Sequence, residues 1–251
     1  NFTVADYHTY FAGESPVWVH NEGTRPCEQI KDWLTHLTCE RGYLVGDAYA
    51  HVFRLLESRS LLPAADDALL GSNLHFRALA LAMESDFQKA GIVSAASPLK
   101  WTKGPFSSKF ENFTYHYYKH VTWKGGGDLA SLVRDPFVYY TRIMRITDDL
   151  DKVPAGGYHL ASTAGGESGQ WFSWYTGTGA NRTFRCYNGY TGEIIFRDAA
   201  GCFKSDYRIT LDNKSTFVAW KDLLTGNGFK GSWPWPDFKF IRWLSEIKAG
   251  K

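Results

Sequence analysis

The order of helix-forming and strand-forming segments constrains this chain more than any other feature of its sequence. Between residues 27 and 93 apolar side chains such as Ile30, Trp33 and Leu34 recur at helical spacing. A stretch rich in Ser, Pro, Lys and Gly follows at Ser94–Pro105, and beyond it β-branched and aromatic runs alternate with Gly-rich or Asn-Gly turns. This order predicts an α+β fold, with a helical N-terminal portion followed by a mostly antiparallel sheet with short helices.

The turns also delimit the predicted elements of the second half. Short helices are expected over Phe110–Thr122 and Asp128–Arg134, the second of which we expect to end at Asp135-Pro136, and a final amphipathic helix is expected around Phe238–Ile247. The predicted strands are Phe137–Ile146, Tyr158–Thr163, Gln170–Tyr175, Thr183–Tyr187, Gly192–Asp198 and Cys202–Leu211.

The same punctuation divides the chain into three parts. Residues 1–21 form two predicted strands, TVADYHTYFA and PVWVHN, split by Gly13-Glu14-Ser15-Pro16. Residues 22–98 form the helical N-terminal region, and residues 99–251 form the α+β domain. Two interpretations of the helical region remain open: a module that helps the chain cross a membrane, or a helical layer of the domain that follows.

Charge is distributed unevenly along a chain whose net charge is only +2. Residues 100–251 carry 21 basic and 14 acidic side chains. A basic half suits a polyanionic partner such as RNA, although a solvated basic surface explains it as well. No apolar run is long enough for a transmembrane helix, so no stable membrane insertion is expected. The first residues lack the features of a signal peptide, and we therefore expect any secretion signal to lie upstream.

The four cysteines contain no CxxC pair, which argues against a zinc ribbon. Local pairing of Cys27 with Cys39 and of Cys186 with Cys202 is one interpretation, and free thiols in a reducing cytosol are the other. No metal or cofactor is predicted.

The first 21 residues carry a specific resemblance. The run V-A-D-Y-H-T-Y-F-A-G followed by V-W-V-H-N resembles the closing segment of the Hint (intein-like) processing domains that precede the toxic domains of bacterial polymorphic toxins. By that resemblance His20 and Asn21 occupy the autoprocessing junction, where cyclisation of the Asn side chain breaks the next peptide bond. The resemblance implies that a toxin domain follows. It also implies delivery by the producing bacterium, action in the cytoplasm of a target cell, and a cognate immunity protein.

The strongest candidate for chemistry is the run Tyr115-His116-Tyr117-Tyr118-Lys119-His120. Residues four apart on a helix share one face, so His116 and His120 are expected side by side with Lys119 at their flank. Two imidazoles and an ammonium suit metal-independent cleavage of RNA: one His removes a proton, another acid protonates the leaving group, and the cation offsets phosphate charge. A zincin would have Glu after the first His, where this chain has Tyr117.

The last strands supply further candidates. Ser205 and Tyr207 lie two apart, on one face of a predicted strand, and Arg182 and Arg185 are candidates to bind phosphate. The helix-then-sheet plan resembles the barnase–EndoU–colicin–RelE group of toxin ribonucleases. That resemblance implies catalytic roles for His116, His120, Ser205 and Tyr207.

Two alternatives belong to other functional classes. Arg142, then Ser162-Thr163, then Glu193 follow the Arg…Ser-Thr…Glu order of ADP-ribosyltransferases, which use NAD. However, Thr191 stands where that family has a second Glu or Gln. A tryptophan-rich tail with Trp233, Trp235 and Trp243 suggests instead a non-enzymatic, membrane-active toxin.

Overall fold

The computed structural model describes residues 9–12, 17–20, 25–123, 127, 129–130, 133–151, 158–162, 168–176, 178–188 and 193–208. Within them the chain is α+β, as predicted: helices come first and an antiparallel sheet follows. The predicted tail helix, the tail tryptophans, Asn21 and Thr163 lie outside the described residues.

The helical region contains α1 (Pro26–Thr35), α2 (Val45–Ser58), α3 (Asp67–Leu70) and α4 (Leu74–Lys89). A π-helical turn, His36–Glu40, extends α1. Polar caps set two of the starts: the Asp66 carboxylate accepts from two backbone N–H groups of α3, and the Asn73 side chain accepts from one of α4. Side chains at helical spacing then bury one face of each longer helix, as the sequence pattern predicts.

The predicted helix over Phe110–Thr122 is present as α5 (Lys109–Tyr117) and a π-helical turn, Tyr118–Thr122. Ser108 starts α5 by accepting from the Glu111 backbone N–H, and the Glu111 carboxylate reaches back to accept from the Ser107 N–H. This reciprocal arrangement fixes the helix that carries both candidate histidines.

The predicted strand Phe137–Ile146 is wrong, because Pro136–Asp151 is a helix, α6. The Asp135 carboxylate accepts from the N–H groups of Phe137 and Val138, so Asp135-Pro136 starts a helix instead of ending one. The predicted helix Asp128–Arg134 is also not observed where it is described, since Leu129 and Ala130 lie in a turn. The aromatic and β-branched composition of Phe137–Ile146 favours a strand, but its buried side chains recur at helical spacing, and this burial selects the helix.

The remaining predicted strands are confirmed. The five-stranded sheet consists of β3 (Tyr158–Ser162), β4 (Ser168–Thr176), β5 (Thr183–Asn188), β6 (Glu193–Arg197) and β7 (Phe203–Arg208), and every neighbouring pair is antiparallel. A separate antiparallel hairpin joins β1 (Thr9–Ala12) to β2 (Val17–His20), which confirms the described part of the two strands predicted at the N-terminus.

A short segment around Trp101 ties the helices to the sheet. The Thr102 N–H donates to the Phe203 carbonyl at 2.7 Å, and the Phe203 N–H donates to the Lys100 carbonyl at 3.0 Å. Trp101 therefore pairs in parallel with the free edge of β7, and its fully buried ring packs against Phe203 and Phe113 of α5. This link brings β7 close to α5.

One apolar core spans the helical region and the sheet. Phe87 at the end of α4 makes ring contacts with Phe110 and Phe113 of α5 and with Phe137 and Tyr140 of α6. The core therefore continues across the stretch at Ser94–Pro105, and the helical region packs as a layer of the same body.

Candidate functional site

A cavity of about 400 Å³ lies where α5 and its π-helical turn meet β7. All five residues predicted to be catalytic line it: His116, Lys119, His120, Ser205 and Tyr207. They come from two elements separated by about 90 residues of sequence, and the pairing of β7 with the Trp101 segment brings them together. The other lining residues are Asp67, Thr102, Gly104, Pro105, Phe106, Asn112, Tyr115 and Lys204.

The two histidines of this cavity stack on each other. Their ring centroids are 5.6 Å apart and the ring planes differ by 15°. His116 lies in the last turn of α5 and His120 in the π-helical turn that follows. The predicted face-sharing pair is therefore present, although the second histidine lies on a wider turn than the α-helix that the spacing suggested.

A row of flat side chains continues from the histidines along the sheet. The His120 ring stacks on Tyr207 at 5.7 Å and 25°, and Tyr207 stacks on Phe196 of β6 at 5.8 Å and 18°. The Arg185 guanidinium carbon lies 5.3 Å from the centre of the Phe196 ring. We call His120, Tyr207, Phe196 and Arg185 the stacked row.

The electrostatics of the cavity favour a neutral His116 and an anionic ligand. Burial lowers the pKa of His116 well below its usual value, and the neighbouring His120 and Lys119 lower it further. The Nδ1 atom of His116 is buried and has no hydrogen-bond partner among the described residues. Lys119 and Lys204 contribute two ammonium groups, whereas Asp67 is the only carboxylate among the described lining residues.

Close backbone packing holds the π-helical turn in place. The Leu129 N–H donates to the His120 carbonyl at 2.7 Å, and the Gly127 N–H donates to the Val121 carbonyl at 3.1 Å. A Cβ atom at Gly127 would lie 2.1 Å from the carbonyl carbon of His120, so only glycine fits there. On the other side of the cavity, the Asn112 side chain donates to the Thr102 carbonyl at 2.8 Å and fixes the loop that follows Trp101.

Sequence reasoning missed several parts of this cavity. Asp66 caps α3, and the neighbouring Asp67, which no sequence pattern marks as a site residue, lines the cavity. Asn112 and Lys204 also line the cavity and Gly127 packs against His120, and the sequence predicts none of the three as site residues. The run Gly125-Gly126-Gly127 indicates a turn in the sequence, but only the fold shows that Gly127 packs against the backbone of His120.

The structure separates the two arginines predicted to bind substrate. Arg185 lies at the end of the stacked row, on the sheet face shared with Tyr207. Arg182 is exposed and lies 3.6 Å above the Tyr175 ring, whose hydroxyl donates to Asp151 of α6. Arg182 is therefore on the α6 side of the sheet, away from the cavity.

The residues of the ADP-ribosyltransferase order form a buried ion pair. Arg142 lies on α6 instead of on a strand, and its two terminal nitrogens donate to both carboxylate oxygens of Glu193 on β6. Glu193 is completely buried and the Arg142 side chain is 11% exposed. Ser162 ends β3. This pair joins the helix to the sheet, and the carboxylate lies inside the protein, out of reach of solvent.

The other predicted positions are placed as follows. His20 is the last residue of β2. All four cysteines are free, with Cys27 and Cys39 exposed and Cys186 buried. Among the described residues, no helix is long and apolar enough to cross a membrane. The same part of the chain contains no cluster of three or more His, Cys, Asp or Glu side chains able to hold a metal ion.

Comparisons with known proteins found no matching family model, no matching curated protein and no matching solved structure.

Proposed function

We propose that this chain is an antibacterial effector toxin that cleaves RNA without a metal ion. The observation that carries the proposal is the convergence of both histidines, Lys119, Ser205 and Tyr207 on one cavity. Neighbouring histidines with a nearby cation suit general acid–base cleavage of the bond between phosphorus and the 5′-oxygen of RNA.

In the proposed reaction His116 acts as the general base. Because its imidazole is neutral, it accepts the proton of a ribose 2′-hydroxyl. The 2′-oxygen then bonds to phosphorus, the bond from phosphorus to the 5′-oxygen breaks, and His120 donates a proton to that leaving oxygen. The products are a 2′,3′-cyclic phosphate and a free 5′-hydroxyl, so protons and electrons balance with no cofactor.

The cations and hydroxyls of the cavity have supporting roles. Lys119 and Lys204 offset the negative charge that builds up on the phosphate oxygens in the transition state. Lys119 is held in place by donating to the Tyr115 hydroxyl at 3.1 Å. Ser205 and Tyr207 project from the strand opposite and orient the scissile group.

The test is cleavage of purified RNA in EDTA by the chain and by two single variants, His116→Ala and His120→Ala. General acid–base groups contribute about 10²–10⁴-fold to a rate, so each variant should lose that much activity. His75→Ala, which removes a histidine outside the cavity, is the matched control and should retain full activity. RNA that stays intact in the presence of the unaltered chain would refute the proposal.

A second substrate separates the two histidine roles. A uridine 3′-phosphodiester with a nitrophenyl leaving group needs no protonation of that group. Removal of the general acid should then reduce the cleavage rate only slightly, whereas removal of the general base should reduce it as much as it does with RNA. His120→Ala should therefore regain activity on this substrate and His116→Ala should not. The reverse result would exchange the two assignments.

The biological setting of the proposal rests on the Hint-like N-terminus. A toxin of this kind is delivered by its producer and acts on RNA in the cytoplasm of a target cell. The producer then needs an immunity protein, and an acidic face on that protein would complement Lys119 and Lys204 at the cavity. Co-expression of an adjacent gene product that restores growth, and that inhibits RNA cleavage in vitro, tests this part.

A further inference from the structure

The stacked row extends beyond the cavity to Phe196 and Arg185, which have no role in the proposed cleavage reaction. Its members lie on three successive strands and the π-helical turn, with ring spacings of 5.7 and 5.8 Å. Strand register places Tyr207 and Phe196 on the same sheet face, since Phe196 pairs with Ser205, and Arg185 pairs with Phe196. Tyr207, Phe196 and Arg185 are all partly exposed.

We propose that the stacked row is a base-binding platform that makes the chain selective for single-stranded RNA. The inference rests on the proposed ribonuclease function and adds the substrate class. Unpaired bases stack on aromatic side chains and on Arg guanidinium planes with little dependence on sequence. Bases in a duplex are paired as well as stacked and cannot turn toward a protein surface, whereas the rings of Tyr207 and Phe196 have centroids 5.8 Å apart and stay partly exposed.

The position of the row sets where the bases lie relative to the bond that is cut. His120 belongs both to the row and to the cavity, so a base on Tyr207 or Phe196 is a neighbour of the scissile phosphate. Arg185 lies at the end of the row away from His120, and its positive charge there favours the phosphates of a strand that crosses the row. Stacking thereby pulls a flexible strand into one orientation before the 2′-hydroxyl reaches His116.

The opposite face of the sheet has different chemistry. There Arg197 is 10% exposed and pairs with Asp148 and Asp151 of α6, while Cys186 and Ile195 are completely buried. That face is packed against α6, whose side chains supply the ion-pair partners of Glu193 and Arg197. The face with the stacked row is therefore the one suited to a nucleic acid strand.

Binding is measured first with a probe that cannot be cut. A short fluorescein-labelled single strand carrying 2′-O-methyl ribose throughout lacks the attacking hydroxyl. Its anisotropy reports Kd for the full chain and for Phe196→Leu, which keeps an apolar side chain but removes the ring. Loss of one stacked base is expected to weaken binding about tenfold. Phe196→Tyr keeps a ring and should bind like the unaltered chain.

A pair of arginine variants gives a control of equal charge. Arg185→Gln should weaken binding of the single strand several-fold, whereas Arg182→Gln, on the α6 side of the sheet, should leave it within about twofold. The same probe annealed to its complement should bind at least tenfold more weakly than the single strand. Equal binding of duplex and single strand, or equal losses in the two arginine variants, would overturn the platform.

Cleavage then separates the platform from the catalytic proposal. Phe196→Leu should raise KM on an oligonucleotide about tenfold with a much smaller effect on kcat, because Phe196 binds a base and does not line the cavity. If the unaltered chain binds the single strand through Phe196 but cuts no RNA, the platform stands and the ribonuclease function fails. If it cuts RNA and Phe196→Leu changes neither Kd nor KM, the ribonuclease function stands and the platform is refuted. Thermal unfolding of each variant shows whether a loss comes from misfolding.

Discussion

The buried pair of Arg142 and Glu193 offers the sharpest test of the architecture. Glu193 is completely buried, Arg142 is 11% exposed, and the guanidinium donates to both carboxylate oxygens. Glu193→Gln leaves a buried arginine facing an uncharged amide. Removing one partner of a buried ion pair costs about 3–5 kcal/mol, because the other charge stays desolvated. Since domains are stable by only about 5–15 kcal/mol, this single change should remove a large fraction of the stability.

The matched control lies on the same helix and the same sheet face. Arg197 of β6 pairs with Asp148 at 3.4 Å, but the Asp148 side chain is 49% exposed. When Asp148 is changed, the buried Arg197 keeps its 2.7 Å ion pair with Asp151, so Asp148→Asn should cost at most about 1 kcal/mol. The change from a carboxylate to an amide should therefore cost several times more stability at Glu193 than at Asp148.

Urea unfolding of Glu193→Met, Arg142→Met and the double variant Arg142→Met/Glu193→Met gives the coupling free energy, and Glu193→Gln is measured alongside them. Each single variant should lose about 3–5 kcal/mol, and the double variant should recover most of it, because no charge is left unpaired. A loss below about 1 kcal/mol in Glu193→Gln would refute the structural role. Full stability combined with loss of an NAD-dependent activity would revive the ADP-ribosyltransferase alternative.

Three further predictions concern the cavity and the thiols. Because the pKa of His116 is lowered, the acid limb of the pH–rate profile for RNA cleavage should lie below pH 6.5, and a limb at pH 6.5 or above contradicts this prediction. The free energy of unfolding should also fall as the pH drops below 6.5, because only the unfolded state then gains the proton. Gly127→Ala should displace the backbone of His120 and reduce RNA cleavage at least tenfold, with unfolding in urea as the control measurement. Burial raises the pKa of the Cys186 thiol, so iodoacetamide should label Cys27 in the native chain and Cys186 only after denaturation, as mass spectrometry would show.

The sheet was predictable from the sequence because each of its strands is bounded by turn residues. Gly and Asn-Gly segments separate runs with β-branched and aromatic residues, and these local signals agree with the packing. The failure at α6 has the opposite cause. Phe137, Val138 and Tyr139 favour a strand locally, but the Asp135 cap and the burial of Tyr140 and Ile143 against the core select the helix.

The candidate site was predictable in its local part only. The spacing of His116 and His120 is a property of one helix, so the sequence alone predicts that they are neighbours. Tyr207 was predicted by resemblance to a fold plan, and no local pattern indicates that its ring stacks on His120. Asp67 and Gly127 reach the site only through tertiary packing, which leaves no periodic signal in the sequence.

The helical region and the α+β domain build the cavity together. Asp67 of α3 lines it, although the nearest candidate catalytic residue is about 50 positions further along the chain. The link is energetic as well as spatial, because Phe87 of α4 packs against Phe113 of α5, one turn before His116. The partly exposed Arg77 of α4 also pairs with Glu111, the residue that completes the cap of α5. This layer fixes the start and the buried face of α5 and supplies one wall of the cavity. These contacts favour its interpretation as a helical layer of the domain that follows over that of a separate module that helps the chain cross a membrane.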